Sequence, residues 1–234
     1  MRALSIWWII GLIVLAALAA GAMIAFGNEN MGKAGFLIIG ALLAIITTVL
    51  VDVRKRQVQV RDLARVLYAE LTHLVARCVF DSEKPWKPYW PKDASPGLMN
   101  ATKLRKFAPA VPTVYSATAG QLALLPGTAP QTLIEFHYRL SALRREIDNT
   151  VAGANPSDSS NVPIGALRQV GLRFRQTLAP SLKALEALAP LVADSAEMEK
   201  HARTSYYETR PGSDLTKTLS ERIDALLTEP FSME

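Results

Sequence analysis

The residue pair best suited to metal chemistry is Glu70 and His73, which stand three residues apart and share one face of a predicted helix. Carboxylate-bridged metal bundles use two such pairs together with two further Glu side chains. The second pair is missing: Glu197 and His201 are one residue out of step, and Glu135 and His137 point to different helix faces. We therefore predict no metal or other cofactor, and Glu70 and His73 stay as the weak metal candidates.

A nucleophile and base can be imagined from Cys78 with His73 or His137. Cys78 continues an apolar stripe, however, and core packing is the stronger interpretation. The segment Gly27 to Ala34, GNENMGKA, differs from a phosphate-binding loop at Ala34, where a hydroxyl belongs, and it lies between two apolar segments. No serine-hydrolase, zinc-protease or dinucleotide-binding motif occurs. The sequence leans away from an enzyme, although catalytic groups assembled from distant residues leave no motif.

Aromatic and basic side chains alternate in a proline-rich segment, DSEKPWKPYWPKDASPG, at residues 81–97. The four prolines of this segment, the last of them followed by glycine, predict a loop. Trp86, Tyr89 and Trp90 interleave with lysines and would hold this loop at the lipid interface or stack on a ligand. The alternative, that these aromatic rings cap the helical core, is equally open.

Two uncharged segments near the N-terminus have the length of membrane spans. Ile6 to Phe26 is a 21-residue apolar run and Ala34 to Val51 an 18-residue one, and a bilayer core needs about 20 residues of helix. Residues 1–53 are therefore predicted to form a transmembrane hairpin with spans at about 4–26 and 34–53. Small residues at four-residue spacing would allow close helix approach: Ala17, Gly21, Ala25, Gly40 and Ala44. A cleaved signal peptide is the alternative, with Ala20-Gly21-Ala22 as its cleavage site.

Positive charge is concentrated where the chain leaves the second span. Residues 54–106 carry 12 Lys and Arg against 5 Asp and Glu. The positive-inside rule then predicts that both termini are cytoplasmic, at a bacterial inner membrane. The residues predicted to meet anionic lipid headgroups are Arg54, Lys55, Arg56 and Arg61, together with Trp86, Tyr89 and Trp90. Nucleic acid is not an expected partner, because the basic residues begin directly at a span.

The remaining sequence, residues 54–234, predicts a helical cytoplasmic region and no significant sheet. A basic helix at 54–80 carries an apolar stripe, and further amphipathic helices are predicted at 128–153, at 164–188 and from Ser213 onward. Kinks or a break are expected at Pro180 and Pro190 in a heptad-like, coiled-coil pattern. The fold class is all-α, and the stripes must bury one another or a partner. Cys78 is the only cysteine, so no internal disulfide forms.

Three segments resemble uncharacterised membrane-anchored proteins of alphaproteobacteria: RDLARVLYAELTHLVARCVFDSEKPWKPYW at 61–90, LRKFAPAVPTVY at 104–115 and IEFHYRLSALRREI at 134–147. They cover somewhat less than half of the chain. The resemblance implies a bacterial inner-membrane location, and it implies no activity.

The preferred functional hypothesis is a membrane-tethered, non-enzymatic interaction or scaffold protein that binds a protein partner or a second copy of itself. A small membrane-bound enzyme or metal-binding helical protein is one alternative, and a membrane signalling component is another. The signalling hypothesis is limited by a predicted outer loop of only seven residues, 27–33, which offers little surface for a ligand.

Overall fold

A computed structural model of the chain describes residues 2–27, 29–83, 101–153, 162–208 and 214–228. These residues form helices and connecting segments and contain no strand, so the all-helical prediction is confirmed for them. The α-helices are α1 (Arg2–Phe26), α2 (Glu29–Glu83), α3 (Ala101–Arg105), α4 (Thr113–Thr118), α5 (Ala129–Gly153), α6 (Ile164–Leu188), α7 (Ser195–Tyr207) and α8 (Leu219–Thr228). Short 3₁₀ helices lie at Ala119–Leu124 and Ala189–Leu191. The chain divides into two compact units, Met1–Gln59 and Val60–Glu234.

In the first unit, α1 packs against the beginning of α2 through a glycine. A Cβ atom built on Gly35 would lie 2.7 Å from Cγ1 of Ile24 and 2.8 Å from the carbonyl oxygen of Ala20. Ala20 and Gly35 are both buried. The small residues predicted to mediate this approach do not: a Cβ on Gly21 or Gly40 would meet nothing within 4 Å. The contact face is therefore one residue away from the predicted Ala17, Gly21 and Ala25 series on α1, which is exposed.

Among the residues whose side chains are described, one helix is long and apolar enough to cross a membrane, judged by length and composition. It is Glu29–Ser82, which is nearly all of α2. Its most apolar 18-residue stretch is almost entirely unburied by protein. The described side chains of α1 give a shorter apolar helix, Ile13–Phe26. The structure therefore supports one candidate membrane helix, which is less than the two spans predicted from sequence.

The second unit buries the stripe that the sequence places on α2. Leu67, Leu71 and Cys78 are at most 2% exposed, and they belong to one core with residues of α5, α6, α7 and α8. Phe136 and Leu140 supply the α5 face, Leu178 and Leu185 the α6 face, and Ala202, Tyr207, Leu219 and Ile223 the faces of α7 and α8. The stripe is thus covered by the chain itself and needs no external partner.

A second core lies between the C-terminal half of α5 and the N-terminal half of α6. Its buried side chains are Leu104, Leu143, Ile147, Val162, Leu167, Val170 and Phe174. Helix α5 runs from Ala129 to Gly153, and its apolar positions at three- and four-residue spacing are buried as predicted. The predicted spacing of the buried residues in α5 and the predicted position of this helix in the chain are therefore confirmed.

The two prolines of the α6 region have different effects. Helix α6 continues through Pro180, which is buried, so no break occurs there. At Pro190 the α-helix has given way to the 3₁₀ turn Ala189–Leu191, which confirms a break at this second site. Burial of Leu178, Ser181 and Ala184 around Pro180 offsets the local cost of the missing N–H.

The last helix begins later than the predicted start at Ser213, a position outside the described residues. Helix α8 starts at Leu219, because Thr218 and Glu221 form a reciprocal cap. The Glu221 N–H donates to Oγ1 of Thr218 at 3.2 Å, and the Thr218 N–H donates to Oε2 of Glu221 at 2.7 Å. Leu215, assigned to this helix from sequence, precedes it and is 45% exposed.

Candidate functional site

The basic segment of α2 is exposed throughout. Arg54, Lys55 and Arg56 are exposed, as are the valines on either side, Val53 at 50% and Val58 at 50%. None of the three cations forms an ion pair or hydrogen bond through its side chain within the described part of the chain. Their role at anionic lipid headgroups stays a prediction. Arg61, in the second unit, is likewise exposed.

The other predicted membrane-surface residues, Trp86, Tyr89 and Trp90, lie outside the described residues. Their interfacial role stays a prediction.

Glu70 serves as the N-terminal cap of another helix. Its Oε1 atom accepts the backbone N–H groups of Thr113 at 2.6 Å and Val114 at 2.8 Å, and its Oε2 atom accepts that of Tyr115 at 2.8 Å. Pro112, at the N-cap position of α4, makes no side-chain capping bond. A carboxylate satisfies these otherwise unpaired donors and is favoured by the positive end of the helix dipole. Both oxygens are thus occupied in the protein, which disfavours Glu70 as a metal ligand.

His137 lies beside this cap, in the core. Its ring stacks on Tyr115 with centroids 3.6 Å apart and an interplanar angle of 22°. It is 4% exposed, and its Nδ1 atom has no hydrogen-bond partner among the residues that the structure describes. Burial lowers the pKa of His137 from 6.5 to about 4, and the charge of Glu70 opposes this shift only in part. The imidazole is therefore neutral at physiological pH.

His73, the second metal candidate, faces α7 and contacts two of its aromatic side chains. Its ring centroid is 5.9 Å from that of His201 and 6.4 Å from that of Tyr206, both in edge-to-face arrangements. His73 is half-buried and His201 is exposed. Partial burial, and secondarily the proximity of His201, lower the pKa of His73. Two imidazoles that are far apart in sequence are thus brought together at the surface of the second unit.

An ion pair follows one turn further along α2. Nε of Arg77 lies 2.7 Å from Oδ2 of Asp81, and the guanidinium also sits 6.0 Å from the ring centroid of Tyr206. Asp81 is 3% exposed. Burial raises the pKa of Asp81 to about 6, although Arg77 lowers it. Desolvation thus outweighs a close cation at this carboxylate.

Cys78 lies in the core between these polar groups. It is 2% exposed, and burial raises the pKa of its thiol to about 12, with Asp81 adding to the shift. The nucleophilic form of cysteine is the thiolate, which is therefore strongly disfavoured here. The structure supports the packing interpretation of Cys78 over the nucleophile interpretation.

A shallow cleft of about 570 Å³ lies where α5 faces the segment after α3. Arg105, Arg144 and Asp148 line it, together with small apolar residues. Arg144 is already engaged: Nη1 donates to the Pro109 carbonyl oxygen at 3.1 Å, and Nε lies 3.8 Å from Oδ2 of Asp148. The cleft therefore offers Arg105 as its one uncommitted charge among the described residues.

Glu70 and His137 lie near each other beside Tyr115, but the four residues singled out for chemistry do not gather at one site. Glu70 caps α4, His137 stacks in the core, Cys78 packs, and His73 meets His201. Within the described ranges no three His, Cys, Asp or Glu side chains are grouped so as to hold a metal ion.

No protein-family model, curated protein sequence or solved structure matches the chain.

Sequence reasoning missed two contacts: the cap from Glu70 to α4 and the pairing of His73 with His201. Helix α7 has few strongly apolar residues in its 13 positions, so its periodicity gave no signal. Because this helix was not predicted, the sequence did not indicate which residue lies next to His201. Pro112-Thr113 is a signal for the start of α4, but no local pattern indicates that Glu70 caps it.

Proposed function

We propose that the chain is a membrane-tethered, non-enzymatic interaction or scaffold protein of the bacterial inner membrane. In this proposal α1 and the first part of α2 form a transmembrane hairpin with both chain termini in the cytoplasm. The observation that carries the proposal is the candidate membrane helix, whose apolar stretch is left unburied by the protein and is followed by exposed Arg54, Lys55 and Arg56.

The hairpin is supported by the close contact at Gly35. Two apolar helices in lipid associate through packing at small residues, and the backbone of α1 at Ala20 approaches Gly35 too closely for any side chain. Thr47 and Thr48 also satisfy their hydroxyls internally, by donating to the carbonyl oxygens of Leu43 and Ala44. Polar groups that bond within their own helix are compatible with a hydrocarbon environment.

The orientation is supported by charge. The exposed cations at the end of the apolar stretch favour the cytoplasmic face, whereas the first turns of α2 at the other end offer only Lys33, which pairs with Glu29 at 2.7 Å. The loop predicted at 27–33 is shorter than expected, because α2 already begins at Glu29. Each exposed cation near an anionic surface contributes about 1 kcal/mol of attraction.

The apolar stripe of α2, which the sequence offers as a partner surface, is not available. The stripe on α2 is buried within the second unit, so it cannot serve a partner without unfolding. Among the described residues, an exposed apolar surface that could serve a partner or a second copy lies on α2 near the cations, where Val51 and Val58 are seven residues apart and share one helix face. Valines interspersed with arginine give a surface suited to another helix at the membrane boundary.

The membrane part of the proposal is tested by fractionation and reporter fusions. We expect the full chain to stay in the membrane pellet after alkaline carbonate extraction, and a reporter fused after Glu234 to be active only in the cytoplasm. The matched control replaces Arg54 and Arg56 by Lys, which preserves charge and should preserve topology. Release by carbonate, or a reporter active only outside the cytoplasm, would contradict this part.

The interaction part is tested by oligomeric state. Chemical cross-linking in intact membranes, followed by light scattering of the detergent-purified chain, should give a defined homo-oligomer or a complex of fixed stoichiometry. Val58→Asp should abolish that species, and Val111→Asp, at another exposed valine, should leave it intact. A chain that is monomeric and uncross-linked in membranes would refute the scaffold role while leaving the anchor standing.

A further inference from the structure

We propose that His73 and His201 together bind one divalent ion of a late transition metal, Zn²⁺ or Cu²⁺, at the junction of α2 and α7. The proposal goes beyond the scaffold function and does not depend on it. It concerns a surface pair of imidazoles from helices that are 128 positions apart in the chain.

The separation of the two rings fits a shared ion. Zinc–nitrogen bonds of about 2.0–2.1 Å place the ring centroids of two histidines on one ion about 5–6 Å apart. The observed centroid distance is 5.9 Å. The two helices are held at this separation by the core beneath, to which Leu74 of α2 and Ala202 of α7 both belong. An ion pair between Arg65 and Asp194, at 2.6 Å, joins α2 to the start of α7.

The chemistry of the pair favours borderline metals. Neutral imidazole is a ligand for zinc and copper, and divalent first-row ions bind nitrogen sites most strongly at copper. Water would complete the coordination, because His201 is exposed and no third protein ligand is grouped with the pair within the described residues.

The other soft ligands of the chain do not compete for the ion. The chain has three histidines and one cysteine, and both His137 and Cys78 are buried in the core. The Cys78 thiol is strongly held in its protonated form, which does not bind metal. His73 and His201 are therefore the accessible imidazoles of this protein.

A bound ion would act as a clamp between α2 and α7. It would add to the existing contacts between the two helices, which include the packing of His73 and Phe80 against Tyr206 and the shared core. Binding to the folded state alone raises stability in proportion to the logarithm of ligand concentration. The thermal midpoint of the second unit should then rise with added metal.

The test is a metal titration of the full chain in detergent, purified with a peptide tag that contains no histidine and stripped with a chelator. Calorimetry with Zn²⁺ should show one equivalent bound, and electron paramagnetic resonance with Cu²⁺ should show nitrogen coordination. His73→Gln and His201→Gln should each weaken binding by about tenfold or more, since each removes one of two protein ligands.

Lys200→Ala is the matched control, because Lys200 is exposed beside His201 and its side chain supplies no imidazole. Its metal affinity and metal-induced rise in thermal midpoint should equal those of the unaltered chain. His201→Gln changes an exposed side chain, so it keeps the test valid even where His73→Gln does not fold. Absence of saturable binding, or equal binding by the chain lacking both imidazoles, would overturn the proposal and leave the pair as an aromatic contact.

Discussion

The Oε2 atom of Glu70 on α2 accepts the backbone N–H of Tyr115 at 2.8 Å, at the first turn of α4. Oε1 of the same carboxylate accepts two more backbone N–H groups, from Thr113 and Val114. A six-residue helix is too short to be stable alone. The position of α4, and of the Tyr115 ring that stacks on His137, therefore depends on a residue 45 positions earlier.

Glu70→Gln should destabilise the second unit by about 1–3 kcal/mol, because a neutral amide replaces one charged acceptor with a donor that opposes the backbone N–H groups. Urea unfolding of the detergent-solubilised chain, followed by circular dichroism, measures this loss. Glu135→Gln, an exposed change on α5, serves as the control and should shift stability by less than about 0.5 kcal/mol. Equal midpoints for both variants would show that the cap contributes nothing.

Protonation of His137 should destabilise the fold in acid. Its pKa is about 4 in the folded chain and 6.5 in the reference state, so the unfolded chain binds more protons between these values. The contribution of the neutral ring is complete above pH 6.5 and is lost as the pH falls to about 4. A shift of this size corresponds to at most about 3 kcal/mol.

His137→Phe keeps a ring against Tyr115 and removes the titrating nitrogen. We expect its stability to fall less steeply than that of the unaltered chain between pH 6.5 and 4, as measured by denaturant titrations at several pH values. Parallel curves for the two proteins would show that His137 does not carry this pH dependence.

Asp81 should make the stability of the fold depend on pH in the direction opposite to that of His137. Burial raises its pKa from 3.8 to about 6, so the folded chain binds the extra proton and stability is lost as the pH rises through that interval. Asp81→Asn removes the buried charge. Relative to the unaltered chain, the variant should gain about 2–3 kcal/mol between pH 4 and pH 7.

The control for Asp81 is Asp148→Asn, which breaks an Arg–Asp pair of the same i, i+4 spacing at the surface, with side chains 42% and 49% exposed. Such a pair contributes at most about 1 kcal/mol. A pH-independent difference between Asp81→Asn and the unaltered chain would contradict the effect of burial on this carboxylate.

The sequence predicted those parts of the fold that local periodicity encodes. The apolar spacing of Leu133, Phe136 and Leu140 in α5 and of Leu67 and Leu71 in α2 marked the buried faces. It could not identify what covers those faces, because packing partners are set by tertiary contacts. Of the kink or break expected at Pro180, the break does not occur, since α6 passes through this residue.

The sites were less predictable than the helices. Glu70 and His73 share a helix as the sequence indicates, yet each side chain has its own partner on a different element. Which element faces which carboxylate depends on long-range topology. The small residues of α1 were also assigned to the wrong face. Small residues recur at four-residue spacing on two adjacent faces of this helix, and the sequence does not tell which face contacts α2. In the structure the contact is made by Ala20 and not by Gly21.

Gly35 should be essential for the close packing of α1 on α2. A Cβ there meets the Ala20 carbonyl oxygen and Ile24, whereas one on Gly40 meets nothing within 4 Å. Gly35→Val should therefore push the two helices apart by about 1–2 Å, because interhelical distance follows the side chains at the contact. Gly40→Val carries the same intrinsic helix cost and should leave the separation unchanged. Spin labels on cysteines replacing the exposed Val14 and Ile45, in a chain with Cys78→Ala, report the distance by pulsed electron resonance. Equal label distances in the two variants would mean that Ala20 and Gly35 do not form the contact.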